Sequence, residues 1–228
     1  MMCGRFTLVI APENMARRFQ VEMQNLEYRM RYNIAPGQQV LAIIAEKGKR
    51  RMGELRWGLI PSWAKDDKKG FQWINARAES LQEKPSFQKL LSRKRCIIPA
   101  DSFYEWKDTK QGKQPMRIMR KDEQPFAFAG LFDTWVQPDG QKVHTCTIIT
   151  TTPNDVVAPI HPRMPVILRE EDESIWLDRE YQDHQQLQSM LVPYKAEWMQ
   201  AYPVSKAVGN VKNDHLDCIR EVSLHEEE

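Results

Sequence analysis

The chain has 228 residues, 41% of them hydrophobic and 28% charged, with a formal net charge of +2. That length can bury one sizeable core, and no apolar run approaches what a membrane-spanning helix needs. The opening Met-Met-Cys-Gly-Arg-Phe-Thr lacks the charged-then-apolar layout of a secretory signal, so a cytoplasmic protein is expected.

In chain order, Pro12 to Val21 reads as a helix, with Pro12 in its first turn and Met15 and Phe19 on one apolar stripe. Val40–Ala45 and Glu54–Leu59 read as strands, and Ser86–Leu91 as a second helix. Runs rich in β-branched and aromatic residues follow at Cys96–Pro99, Phe103–Lys107, Met116–Arg120, Phe126–Trp135 and Val143–Thr152. Pro138-Asp139-Gly140 marks a turn between the last two of these. Met164–Leu168 reads as one more strand, and Glu171–Leu177 and His184–Met190 as helical pieces. Many strands at near-regular spacing with few long helices predict an α+β fold, an antiparallel barrel-like sheet decorated with helices.

Charge is unevenly placed. Four glutamates fall between Glu221 and Glu228, leaving 33 basic against 27 acidic groups ahead of them. One domain over 1–220 and a disordered acidic tail over 221–228 are expected. The basic clusters Lys47-Gly48-Lys49-Arg50-Arg51 and Arg93-Lys94-Arg95 are compatible with nucleic acid and equally with solvated turns. Cys3, Cys96, Cys146 and Cys218 stand far apart without a CxxC, which points to free thiols. No Cys or His pair has zinc-like spacing, so neither a metal nor a cofactor is expected.

Cys3 carries the most distinctive chemistry. Once the residues before it are removed, its α-amine and thiol stand two carbons apart. The amine, partly neutral at working pH, adds to an aldehyde as a Schiff base, and the thiol closes a thiazolidine ring on the same carbon. Around and beyond it stand Cys3-Gly4-Arg5-Phe6, Tyr32-Asn33-Ile34-Ala35-Pro36-Gly37, Trp57-Gly58-Leu59-Ile60-Pro61-Ser62-Trp63 and Ile74-Asn75-Ala76-Arg77-Ala78-Glu79. After these come Cys96-Ile97-Ile98-Pro99-Ala100, Phe103-Tyr104-Glu105-Trp106-Lys107, His161-Pro162-Arg163-Met164-Pro165 and a segment over 204–213. As an ordered set spanning nearly the whole chain, these blocks resemble the SRAP family, the SOS response-associated peptidases or abasic site processing proteins.

The resemblance implies a protein that captures abasic sites in single-stranded DNA through an N-terminal cysteine. It implies Cys3, Asn75, Glu105 and His161 as the catalytic set. Asn75 would position the sugar through its amide, Glu105 would shuttle protons to and from the Cys3 amine, and His161 would help open the sugar ring. Arg5, Arg77 and Arg163 would hold phosphates, with carboxylate pairing the competing role for each arginine. Trp63 would stack beside the gap. The family also implies peptidase chemistry ahead of Cys3, weak lyase activity, a monomer, and replication-fork proteins as partners. One departure stands out: the family pattern begins Met-Cys-Gly-Arg, whereas Met2 here precedes Cys3 and is not small enough for aminopeptidase trimming to expose it. Initiation at Met2 is the favoured explanation. Two other readings compete on the residues alone. One is an N-terminal nucleophile amidohydrolase of the glutamine amidotransferase type, in which the thiol attacks an amide; the other is a non-covalent reader of damaged DNA that works through its arginines.

Overall fold

The computed structural model describes residues 3–23, 27–67 and 73–223. Thirteen strands and four α-helices are found among them. In the first half these are β1 (Phe6–Leu8), α1 (Pro12–Phe19), β2 (Arg31–Ile34), β3 (Gln39–Glu46), β4 (Lys49–Trp57), β5 (Asn75–Arg77) and α2 (Pro85–Arg93). β6 (Arg95–Ala100), β7 (Ser102–Thr109), β8 (Gly112–Arg120), β9 (Phe126–Val136) and β10 (Lys142–Thr151) follow as an unbroken run of strands. The chain finishes with β11 (Met164–Pro165), β12 (Ile167–Leu168), α3 (Glu173–Leu177), α4 (His184–Ser189) and β13 (Met199–Pro203).

Hydrogen bonding closes β10, β4, β3, β6 and β9 into a ring, because β9 pairs with both β6 and β10. Closure removes the exposed edges that an open sheet would leave. β5 extends the line of β4 along β10, and β12 lies beside β9. A second sheet runs β13-β8-β7-β1-β2. Phe6 of β1 joins the two, its ring edge-on to Trp57 and Phe128. All pairings are antiparallel except that β10 runs parallel to β4 and to β5. Barrel strands are buried on both faces where α2 and α3 cover the outside, which is why β6 and β9 read as continuous apolar runs.

The α+β barrel expected from the sequence is the fold observed, and the departures are local. α1 stops two residues before Val21, because Gln20 takes a left-handed conformation (φ 54°). Met164–Leu168 is two strands rather than one. Val166 between them donates to Ile149 O and accepts from Ala129 N, so the segment passes from β10 to β9 there. The basic cluster 47–51 is a hairpin in which only Lys47 and Gly48 turn, while Arg50 pairs with buried Glu173. Arg95 is buried and donates to the carbonyls of Leu91, Ser92, Trp176, Asp178 and Tyr181; burial lowers its pKa to about 10. It staples α2 to the segment after α3. At the far end, Glu221 bridges Val204 and Val222 donates to Pro203 O. Residues 224–228 of the expected tail lie outside the described residues.

Candidate functional site

Strand alternation creates the centre of the site. Phe103 and Glu105 share one face of β7, while Tyr104 and Trp106 face the other way into a cluster with Val204, Val208 and Cys218. β1 pairs antiparallel with β7 through Phe6↔Phe103, and Tyr104 N donates to Arg5 O. That register, continued, sets Gly4 opposite Glu105, one residue from Cys3. Cys3 N–H donates to Glu105 Oε1 at 2.7 Å, and Cys3 Sγ lies 3.9 Å from Arg163 O. Cys3 holds φ at 34°, a left-handed value that an L-residue adopts at a cost.

Both groups are nearly dry: Cys3 is 3% and Glu105 2% exposed. Burial pushes the Glu105 carboxyl above its ordinary pKa, opposed by its hydrogen bonds from Cys3 and by His161. Burial and the Glu105 charge push the Cys3 thiol well up. His161 reaches the same carboxylate, Nδ1 lying 3.7 Å from Glu105 Oε1. Nδ1 accepts from Arg163 N at 3.2 Å when it carries no proton, and donates towards Arg163 O (3.1 Å) or Glu105 when it does. A turn fixed by Asn154 carries this histidine. The Asn154 side chain accepts from Val156 N and Val157 N, and His161 N donates to Val157 O.

β10 organises the outer part. Its Ile148 pairs with Asn75 and its Thr150 with Arg77 on one side, and Thr150 pairs with Pro165 on the other. The blocks around residues 75 and 163 therefore flank one strand end. Asn75 Nδ2 lies 3.4 Å from Ile148 O, while its Oδ1 is buried without a partner. An unsatisfied buried acceptor of this kind needs a donor from elsewhere. Arg77 is exposed. Arg163 grips Glu79 with both ends of its fork, Nη1–Oε1 2.7 Å and Nη2–Oε2 2.9 Å, and Nη2 also donates to Thr150 O at 2.7 Å.

A buried thiol, a carboxyl and an imidazole meet here beside the backbone of Arg163, with Asn75 and Arg77 on the neighbouring strand. The family model for the SOS response associated peptidase (SRAP) matches residues 2–211. This chain belongs to the SRAP family. Abasic site processing protein YoqW of Bacillus subtilis is 52% identical over 96% of this chain and 99% of its own length. Abasic site processing protein YedK of Escherichia coli is 32% identical over 97% of this chain and all of its own. Abasic site processing protein HMCES of Gallus gallus is 33% identical over 98% of this chain and 79% of its own. A crystal structure of a protein from Bacteroides thetaiotaomicron superimposes with a TM-score of 0.85 at 27% identity, covering 96% of this chain and all of that one.

Within this SRAP fold, the remaining residues singled out in the sequence sit further from Cys3 or point elsewhere. Arg5 faces inward: Nη1 donates to Asn33 Oδ1 (2.8 Å) and Val208 O (2.6 Å), and Nη2 to Gly209 O (3.0 Å). It ties β1 to the C-terminal segment. Trp63 is 57% exposed and stands edge-on to Trp73, two residues before Asn75. Its loop is held by Ser62 N to Asp133 Oδ2 (2.7 Å) and Trp135 Nε1 to Ala64 O (2.7 Å). Asn33 explains why the blocks at 32–37 and 204–213 occur together, since its Nδ2 donates to the carbonyls of Val208, Asn210 and Asn213. Sequence reasoning gave no role to Asn33, Glu79 or Asp133, whose bonds to Val208, Arg163 and Ser62 each span 71 or more positions. Clefts of about 640 and 570 Å³ lie elsewhere, around Asp101 and Arg117 and around Tyr28 and Glu54, and neither includes Cys3.

Proposed function

We propose that the protein captures abasic sites in single-stranded DNA by closing a thiazolidine ring between Cys3 and the ring-opened deoxyribose. The observation that carries this reading is the 2.7 Å contact between Cys3 N and Glu105 Oε1, with His161 on the same oxygen. The names of the relatives agree with it, since each is an abasic site processing protein.

The chemistry requires Cys3 to be the mature N-terminus, through initiation at Met2 or removal of the residues ahead of it by the protein itself. His161 takes the proton of the closed sugar's anomeric hydroxyl and returns one to the ring oxygen, freeing the aldehyde. Glu105 receives a proton from the Cys3 ammonium, and the neutral amine adds to the aldehyde carbon. Glu105 then protonates the departing hydroxyl, so one water leaves and the Schiff base forms. The thiol adds to the same carbon, its proton passing by way of Glu105 to the nitrogen, and the five-membered ring closes. Burial keeps the thiol protonated, so the amine reacts first and the thiol follows. A Schiff base that escapes closure is open to β-elimination of the neighbouring phosphate, a weak lyase activity. Asn75 Oδ1 accepts from a sugar hydroxyl, Arg77 and Arg163 hold phosphates, and Trp63 stacks on a base beside the gap. Arg5 acts indirectly, through the seat of β1. The protein works as a cytoplasmic monomer, meeting its substrate at replication forks.

The test is a denaturing gel of protein with a mass-verified free Cys3, incubated with single-stranded DNA carrying one abasic site. A heat-stable shifted band that is lost in Cys3→Ala and weakened in His161→Ala is expected. Absence of the band from wild type would remove the reading.

A further inference from the structure

We propose that Glu79 is a built-in competitor for the DNA phosphate received by Arg163, seated on the guanidinium in the unliganded protein and displaced when the strand binds. This rests on the capture of single-stranded DNA proposed above. Glu79 offers two oxygens to the two Nη atoms at 2.7 and 2.9 Å, the same two-point seat that two phosphate oxygens take on an arginine. The two partners are unequally placed. The Arg163 side chain is 14% exposed and that of Glu79 50%, so the carboxylate is on the solvent side and rehydrates readily on leaving. Arg163 does not depend on Glu79 for its position. Nη2 also donates to Thr150 O, and the flanking backbone is tied to the His161 ring. The pairing is also incomplete, since Arg163 Nε is buried without an acceptor. A phosphodiester arriving at this fork would lie over the residue whose carbonyl is 3.9 Å from the Cys3 sulfur. Glu79 thereby sets a threshold: a lone anion gains little by replacing it, whereas a strand that also fills the sugar pocket displaces it.

The experiment measures equilibrium binding to a single-stranded oligonucleotide bearing a tetrahydrofuran abasic analogue, which has no aldehyde and reports non-covalent affinity alone. Glu79→Gln is expected to bind roughly 2–5-fold more tightly, the range such an exposed pair is worth, with a salt dependence steeper by up to about 0.7 in log–log slope. Glu79→Ala guards against a glutamine that still bonds the fork, and thermal melting confirms that each variant is folded. In an Arg163→Ala background the gain from removing Glu79 is expected to vanish. Unchanged or weaker binding by both Glu79 variants overturns the inference, as does an equal gain without Arg163, which would make Glu79 a bulk negative charge. The aldehyde-bearing oligonucleotide separates the two levels. If wild type still forms its Cys3-dependent crosslink while Glu79 fails these tests, capture stands and only the competitor falls; if wild type neither binds nor crosslinks, both fall.

Discussion

Glu105 has two polar neighbours and almost no water. Burial raises its folded pKa above the unfolded value near 4.3, so its contribution to stability is present below that value and lost as pH rises through the folded one. A glutamine there keeps an acceptor for Cys3 N–H and cannot ionise. Glu105→Gln is therefore expected to melt above wild type at neutral and alkaline pH, with the gap closing in acid. Crosslinking should slow about 100-fold for want of proton transfer. Thermal melts across pH beside single-turnover gel assays check both halves, and parallel melting curves would show that Glu105 does not titrate in this range. The motif Phe103–Lys107 was visible in the sequence, but Glu105 alone reads as a strand glutamate facing water. Cys3 and His161, 102 and 56 positions away, come to lie against it, which no local pattern encodes.

Barrel closure depends on close approach at one point of β9. A Cβ added at Gly130 would meet Cys96 Sγ at 3.0 Å and Ile98 Cδ1 and Thr147 O at 3.1 Å, all three on the strands either side. Gly130→Ala is expected to cost about 1–3 kcal/mol by overpacking, read as a lower urea midpoint with unchanged slope. An unchanged midpoint would mean the ring gives way there. The loop carrying Trp63 depends on β9 as well, through Asp133. Asp133→Ala should cost about 1 kcal/mol of stability, because Ser62 N–H loses its acceptor. It should also weaken binding to the tetrahydrofuran oligonucleotide, by less than Trp63→Ala, whose stacking is worth about 1–3 kcal/mol. In the double variant the two losses should not add; full additivity would separate Asp133 from the loop. Strand positions in β3 and β6–β10 were legible from apolar runs and turn residues. β1, β2, β5 and β13 were not, being three to five residues long and defined by distant partners.

Across the whole molecule, the two ends of the chain hold each other. Asn33 is fully buried, accepts from Arg5 and donates to three carbonyls of the C-terminal segment, while Asp214 accepts from Tyr32 N, Asn33 N and Arg31. Since Arg5 is two residues from Cys3, the segment that carries Cys3 is seated by the last 20 or so described residues. Asn33→Ala would leave these groups unmatched, and a loss of roughly 3 kcal/mol is expected. Limited proteolysis should then cut within 204–223 before the barrel. Cutting that begins in the barrel would show that the C-terminal wrap is independent of Asn33.

What the sequence by itself determined was the inventory and its order. A cysteine stands beside a glycine and an arginine, a carboxyl and an imidazole stand in apolar or proline-stiffened settings, and turn residues punctuate a run of strands, because local chemistry and period-two patterning are written in neighbouring residues. Which partner each polar group takes was decided by the tertiary structure alone. Arg5 turned inward to carbonyls more than 200 positions away, Arg163 received Glu79 rather than open solvent, and Glu105 was buried against Cys3 and His161. Guanidinium and carboxylate groups are satisfied by whatever acceptor or donor the fold carries within 3 Å. That proximity is set by the closure of the barrel and the seating of the chain ends, not by spacing along the chain.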